Sequence, residues 1–103
     1  MRKRETHILE SDVKDDIIGA IKEMYPDCFV LKNDSGYLQG VPDWVILYKD
    51  KWVMLELKKS KTASHQPNQD YYVDILNRMS YATFAYPENK EEVLHDIQQT
   101  FGA

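Results

Sequence analysis

The sequence contains little of what exported or membrane proteins usually carry. Cys28 is the single cysteine among 103 residues, so no intrachain disulfide can form and a structural zinc site cannot be built around it. No apolar run approaches the roughly 20 residues that a helix needs to span a bilayer. The basic start, Met1 to His7, has no apolar signal core after it. We therefore expect a cytoplasmic protein.

Positive charge is also scarce. The chain has 13 Lys and Arg against 17 Asp and Glu, a net charge of -4, which argues against a protein that holds nucleic acid by a broad basic surface. A nuclease is not excluded, because acidic metal ligands lower the formal charge and because local charge matters more than the total. The sequence shows no zinc finger, basic helix, repeat or linker. Its length predicts one domain over residues 1–103.

Apolar periodicity predicts the elements of the first part of the chain. A stripe at three- and four-residue spacing predicts an amphipathic helix that ends before Pro26, because the residue before a proline is driven out of the helical region. That stripe consists of Leu9, Val13, Ile17, Ala20, Ile21 and Met24. The apolar run 28–31 then predicts a short buried strand, and 33–36 predicts a turn.

A β-hairpin is predicted in the middle of the chain. Trp44 to Tyr48 and Trp52 to Leu57 have the character of strands, and a polar turn lies between them. If the turn has two residues, paired positions sum to 99, so Asp43 falls opposite Glu56. A three-residue turn would place these two carboxylates on opposite faces unless a bulge intervened. The register is therefore part of the functional prediction.

The residues Asp43, Glu56 and Lys58 form a set suited to metal-dependent cleavage of phosphodiesters. Glu56 and Lys58 are two apart on a strand and share a face, whereas Leu55 and Leu57 point into the other layer. Carboxylates supply the oxygen ligands that a divalent ion requires, and a lysine can orient or deprotonate the attacking water.

The remainder of the chain predicts a helix, a strand and a final helix. Residues 59–65 form a loop, Ser64 is the expected N-cap of the next helix, and Pro67 lies in its first turn. The buried stripe of that helix consists of Tyr72, Ile75, Leu76 and Met79. Tyr81 to Tyr86 predicts a strand, and residues 87–89 predict a turn. The last helix has the stripe Val93, Leu94, Ile97 and Phe101. The fold class is α/β, with the order αβββαβ and an added C-terminal helix.

Gly40-Val41-Pro42-Asp43, followed by Glu56-Leu57-Lys58, resembles the PD-(D/E)xK nuclease superfamily and, within it, the VRR-NUC branch of virus-type replication and repair nucleases. The resemblance covers roughly residues 10 to 87 in order. It implies a restriction-endonuclease-like core and a DNA endonuclease that depends on Mg²⁺ or Mn²⁺, in a bacterial or phage-infected cell. Single-domain members of the branch look like resolvases of four-way (Holliday) junctions, so branched DNA is the implied substrate.

The resemblance also implies roles for individual residues. It assigns the metal to Glu10, Asp43, Glu56 and the carbonyl of Leu57. Catalysis falls to Asp43, Glu56, Lys58 and a glutamine on the following helix, for which Gln69 fits better than Gln66. The loop before the motif, with Ser35, Tyr37 and Gly40, would line the substrate side, and Lys59 and Lys61 add positive charge next to the site.

Alternatives to these assignments remain at the level of sequence. Glu10 could be a first-turn acid favoured by the helix dipole, Ser35 and Tyr37 could belong to a plain connecting loop, and His65 is expected to be solvent-exposed outside the site. A non-catalytic nucleic-acid-binding or partner-binding module could retain the same fold. In a purely structural protein, the central acids and lysine would not converge.

We further expect a homodimer, because resolving a junction takes two cuts and one chain carries one candidate site. The stretch Tyr81 to Tyr86 and the C-terminal helix are candidate interfaces, although core packing explains both.

Overall fold

The computed structural model describes residues 9–34 and 36–102, and it has the element order that the sequence predicts. The helices are α1 (Glu10–Met24), α2 (Gln69–Met79) and α3 (Lys90–Phe101), with a 3₁₀ turn at Pro87–Asn89. The strands are β1 (Phe29–Lys32), β2 (Trp44–Tyr48), β3 (Lys51–Leu57) and β4 (Tyr81–Ala85). The predicted α/β class, αβββαβ with an added C-terminal helix, is confirmed.

The four strands form one sheet in the order β1-β2-β3-β4. The first three are antiparallel neighbours, and β4 runs parallel to β3. A parallel pair needs a long crossover connection, and here α2 provides it.

The hairpin has the register that places the two central acids together. Tyr48 pairs with Lys51 and Trp44 pairs with Leu55, so paired positions sum to 99. The two-residue turn is possible because Lys49 adopts a positive φ of 57°. The next position beyond the last pair brings Asp43 opposite Glu56, as predicted.

The hydrophobic core lies between one face of the sheet and the helices α1 and α3. Alternate residues of β3 point into it, and Val53, Leu55 and Leu57 are almost fully buried there. The helices contribute Val13, Ile17, Ile18, Ile21, Val93, Ile97 and Phe101. Leu55 and Leu57 therefore lie in the predicted layer, and Glu56 faces the opposite side.

The opposite face of the sheet is covered incompletely, which corrects two predictions. Helix α2 packs mainly on β4, so its predicted buried stripe is half-buried and Met79 is 68% exposed. The predicted buried strand at residues 28–31 is instead the edge strand β1. It pairs with β2 alone, and Phe29 and Leu31 are 69% and 51% exposed.

Two helix starts also differ from prediction. Leu9 is the N-cap of α1 and is exposed, so the buried stripe begins at Val13. Helix α2 begins at Gln69, after Asn68 in a left-handed conformation. A left-handed residue cannot continue a right-handed helix, so Ser64 is not the N-cap and Pro67 precedes the helix. None of the helices in the described ranges is long and apolar enough to cross a membrane.

The two segments predicted as dimer interfaces, Tyr81 to Tyr86 and the C-terminal helix, contain none of the large apolar side chains that are exposed in the described residues. Phe101 is buried in the core. The large apolar side chains that are exposed, among the residues described, lie elsewhere: Leu9, Phe29, Leu31, Tyr37, Leu38, Tyr71 and Met79.

Candidate active site

Asp43, Glu56 and Lys58 converge on one cavity of about 590 Å³, which we call the site cavity. Its lining is drawn from the start of α1, the loop before β2, the end of β3 and the start of α2. These residues are Glu10, Gly36, Gln39, Gly40, Val41, Asp43, Glu56, Lys58, Gln66 and Gln69. A purely structural protein was expected to keep the central acids and lysine apart, so their convergence favours a functional site.

Glu56 is a buried carboxylate held by its neighbours. The Asp43 backbone N–H donates a hydrogen bond to Glu56 Oε1 at 3.2 Å, and Lys58 Nζ lies 3.9 Å from Oε2. Glu56 is 4% exposed and Lys58 is 8% exposed. Charged side chains are rarely buried this far unless they are paired. The end of β3 and the residue directly after it therefore place two opposite charges in the cavity.

The environment of Glu56 favours its protonated form. Its pKa is raised from 4.5 to about 7, chiefly by burial and next by the nearby Asp43 carboxylate. Lys58 and the Asp43 N–H act in the opposite direction, and Glu10 adds a small increase. A cation beside Glu56 would relieve this unfavourable burial, which is typical of functional carboxylates.

Gly40 is required for the wall of the site cavity. Its φ is +99°, and a Cβ at this position would lie 2.6 Å from Asn68 Cβ and 2.9 Å from the Pro67 carbonyl oxygen. Distances this short exclude any side chain, so glycine lets the loop before Asp43 pack against the loop before α2. This contact brings the Asp43 side of the cavity to the Gln69 side.

Asn33 orients the Pro42-Asp43 segment, a role that the sequence did not indicate. Its side-chain amide donates to the Pro42 carbonyl at 2.7 Å, and its backbone N–H donates to the Asp43 carbonyl at 2.7 Å. Both bonds cross from the end of β1 to the start of β2. A polar residue directly after a strand was the available signal, but it is common in turns.

Both candidate glutamines line the site cavity, and Gln69 is the buried one. Its side-chain oxygen accepts a hydrogen bond from the Gln66 backbone N–H at 2.8 Å. This bond fixes the Gln69 side chain at the cavity wall while Gln66 stays exposed. Gln69 is thus the buried glutamine of the site cavity, and its catalytic role stays a prediction.

Glu10 is the first residue of α1 and is exposed, yet it lines the site cavity together with Asp43 and Glu56. Leu57 adjoins Glu10 and Asp43 in a smaller cavity of about 250 Å³. No three His, Cys, Asp or Glu side chains within residues 9–34 and 36–102 form a group that could hold a metal ion. The three predicted acids therefore approach one another without forming a closed cluster.

The donor set nevertheless fits a hard divalent ion. Mg²⁺ in proteins commonly takes one or two carboxylates, with water and substrate phosphate completing its shell. Asp43 and Glu56 supply two, and the shifted pKa of Glu56 shows a carboxylate that would gain from a cation. The contacting groups offer oxygen and no sulfur or imidazole, as suits Mg²⁺ or Mn²⁺.

Other predicted substrate residues lie away from the site cavity. Tyr37 is 89% exposed and lines a separate groove with Leu38 and Met54. Lys59 and Lys61 are exposed outside the cavity lining, and the Lys61 N–H donates to Glu88 Oε1. Ser35 lies outside the described residues.

His65 is more constrained than an ordinary loop histidine. Its ring stacks on Phe84 with centroids 3.8 Å apart, and its Nδ1 lies 2.7 Å from Asp70 Oδ1. Phe84 is the β4 partner of Glu56 in the sheet. The side chain is outside the cavity lining, as predicted, and it ties the loop before α2 to β4.

Comparisons with known proteins identify the fold. No protein-family model and no curated protein matches the sequence. A solved VRR_NUC domain protein aligns with 85% of this chain and 87% of its own, with a TM-score of 0.55 and 17% identity. At this identity the likeness establishes the fold alone. The chain therefore has the α/β fold of a VRR-NUC domain, which agrees with the resemblance carried by Gly40 to Asp43 and Glu56 to Lys58.

Proposed function

We propose that the protein is a metal-dependent endonuclease that hydrolyses phosphodiester bonds in DNA. The observation that supports this most is the buried Glu56 carboxylate, which faces Asp43 and Lys58 in one open cavity. Burying a carboxylate beside another acid costs folding free energy. A residue with only a structural role would gain nothing from that arrangement.

Asp43, Glu56 and the carbonyl of Leu57 would hold Mg²⁺ or Mn²⁺, with Glu10 as a further ligand. The ion would supply neutralisation of charge on the phosphate and acidification of water. The protein's own contribution is to fix the two carboxylates: β3 presents Glu56, and the Asp43 N–H holds one of its oxygens.

Lys58 and Gln69 would act on the water and the phosphate. The Lys58 ammonium group is buried in the cavity wall next to Glu56, where it can orient the attacking water or stabilise charge on the phosphate. The Gln69 side chain is fixed in the cavity lining by the Gln66 N–H and would position the same groups.

The proposed substrate is branched DNA, such as a four-way junction, cut by a homodimer. Structure-specific cleavage is preferred over sequence-specific cleavage because the sequence contains no recognisable module that reads bases. Two symmetric cuts need two sites, and a twofold dimer would supply them. Light scattering at micromolar concentration tests this part. A mass near the 12.1 kDa monomer, together with efficient paired cleavage of a junction, would refute the dimer.

One observation favours a second candidate, a nucleic-acid-binding module that does not cleave. The acids that line the site cavity do not form a group of three ligands within the described chain. Such a module would bind DNA equally well with or without a divalent ion.

A cleavage assay separates the two candidates. Four-way junction, flap, single-stranded and linear duplex DNA are incubated at equal concentration with Mn²⁺, Mg²⁺ or EDTA. The nuclease proposal expects cleavage that requires the ion and is fastest on the junction. Asp43→Asn, prepared in the same way, controls for a contaminating nuclease. Binding without cleavage of any of the four substrates would favour the second candidate.

A further inference from the structure

A groove runs along α1 from the site cavity and is lined by lysines. Two small cavities of about 250 Å³ each form it, and they share Lys14 and Trp44. The first adjoins the site cavity through Glu10 and Asp43, and the second extends to Lys22. We call the surface formed by these two adjoining cavities the helix groove.

The lysines of the helix groove come from two separate segments. Lys14 and Lys22 project from α1, and Lys32 projects from the end of β1. Lys32 Nζ lies 5.4 Å from the centre of the Trp44 ring, a distance at which an ammonium group is attracted to the ring face. Trp44 directly follows Asp43, so it holds Lys32 beside the candidate active site.

Of the five acids of α1, only Glu10 and Asp15 line the helix groove. Both lysines of the helix line the groove. Asp16 instead pairs with Lys90 of α3, and Asp12 accepts the Leu9 N–H. Asp15 is the acid of the second cavity and forms an exposed pair with Lys14, which is worth little in water. Glu10 and Asp43 also line the site cavity, and beyond them the helix groove is lined by three lysines and one acid. A chain with a net charge of -4 thus carries a locally positive stretch next to its candidate active site.

Gly19 leaves the middle of the helix groove open. It lies in the interior of α1 and lines the second cavity, and a Cβ placed there would meet no atom within 4 Å. Packing therefore does not require glycine here, although glycine in a helix costs about 0.5–1 kcal/mol relative to alanine. An open surface between Lys14 and Lys22 is what a ligand lying along the helix needs.

We infer that the helix groove, formed by Lys14, Lys22, Lys32 and Trp44, binds the DNA backbone that leads away from the cut phosphate. This inference rests on the proposed nuclease function and assigns part of its substrate contact. Lys14 and Lys22 are eight residues apart, about 12 Å along the helix axis. That span corresponds to about three or four nucleotides of a B-form strand. The predicted contacts Lys59 and Lys61 lie outside this path.

A matched pair of variants at Gly19 tests the inference. Gly19→Glu and Gly19→Gln fill the same open space with side chains of nearly equal size, and they differ in charge. Binding to labelled duplex and four-way DNA is measured by fluorescence anisotropy in EDTA, so that nothing is cut. We expect Gly19→Glu to bind about tenfold more weakly than Gly19→Gln near 0.1 M salt, the equivalent of one lost phosphate contact. Equal affinities would overturn the inference.

A lysine series provides an independent measurement that does not depend on the Gly19 variants folding. Lys22→Gln should reduce the slope of log affinity against log salt concentration by about 0.9 for duplex DNA. Lys51→Gln, in the hairpin turn at the far end of β3, is the matched control and should leave the slope unchanged. Equal slopes for these two variants, or a wild-type protein that does not bind DNA, would also overturn the inference.

Cleavage separates this inference from the proposed function. If the wild type cleaves with Mn²⁺ but the groove variants bind and cut normally, the groove assignment is wrong and the nuclease stands. If groove variants lose affinity but the wild type never cleaves, the groove stands and the nuclease proposal fails. If the groove assignment and the nuclease proposal are both correct, Gly19→Glu and Lys22→Gln should raise KM and leave kcat nearly unchanged. Neither substitution alters Asp43, Glu56 or Lys58.

Discussion

From Val53 onward, strand β3 points its odd-numbered residues into the hydrophobic core and its even-numbered residues to the opposite side. Val53, Leu55 and Leu57 are buried among apolar side chains of α1 and α3. On the other side, Glu56 is just as inaccessible to water but is surrounded by charge. Adjacent residues of one strand therefore belong to different environments: Leu55 and Leu57 pack in the core, and Glu56 lines the site cavity. Changes on the two faces should differ in kind as well as in size.

The largest effect is expected from the two central acids. Asp43→Asn and Glu56→Gln each remove a negative charge with almost no change of volume, so metal-supported cleavage should fall by about 10³-fold or more. The fold should remain, because the core side of β3 is untouched. Junction cleavage with Mn²⁺ measures the loss, and circular dichroism checks the fold. Retained activity in either variant would remove these residues from the site.

The next largest effect belongs to the opposite face. Leu55→Ala should destabilise the fold by about 2–5 kcal/mol, because it opens a cavity in the core. Leu31→Ala makes the same chemical change on the exposed edge strand and should cost less than about 1 kcal/mol. Urea unfolding compares the two variants. A large, concentration-dependent cost at Leu31 would contradict its exposure and would instead place a second copy of the chain on that face.

The pH dependence of stability sharpens the comparison further. The folded pKa of Glu56 is about 7, above its ordinary 4.5, so the folded state binds the proton more tightly than the unfolded state. Its contribution is fully present below pH 4.5 and is lost as the pH rises through 7. In EDTA, the wild type should therefore lose up to about 3 kcal/mol between pH 4.5 and pH 8, relative to Glu56→Gln.

Urea unfolding of both proteins across this pH range measures the difference. A constant difference would mean that Glu56 does not titrate abnormally. Restoring stability at pH 8 with Mn²⁺, in the wild type and not in Glu56→Gln, would place the cation at this carboxylate.

The features that local sequence determines were predicted correctly. The hairpin register follows from a two-residue turn, and strand alternation then fixes the side to which Glu56 and Leu55 point. The element order follows from periodicity. Gln69, which the resemblance favours over Gln66, is the buried glutamine of the site cavity, and its catalytic role stays a prediction.

The features that depend on contacts between distant segments were not predicted. The late start of α2 depends on Asn68, whose neighbour Gly40 comes from a different loop. The exposure of β1 depends on where α2 packs, which periodicity does not reveal. The helix groove combines Lys14 and Lys22 with Lys32, and no single stretch of sequence brings them together. The sequence instead predicted contacts from Lys59 and Lys61, which lie outside the lining of both the site cavity and the helix groove.

The smallest effect is expected at Glu10, where the two interpretations of this residue can be separated. Glu10 begins α1 at the rim of the site cavity and is largely in water, so a water molecule could replace its oxygen. If it helps hold the ion, Glu10→Gln should lower cleavage by about tenfold or less at limiting Mg²⁺, and saturating Mg²⁺ should restore the rate. If Glu10 only interacts favourably with the helix dipole, the variant should lose about 0.3–1 kcal/mol of stability and cleave normally at every Mg²⁺ concentration.

Glu23→Gln, near the other end of α1, is a matched control for the loss of one acid. A Mg²⁺ titration of the three proteins decides between the two roles, because a shifted midpoint in Glu10→Gln alone requires contact with the ion, and coincident curves exclude it.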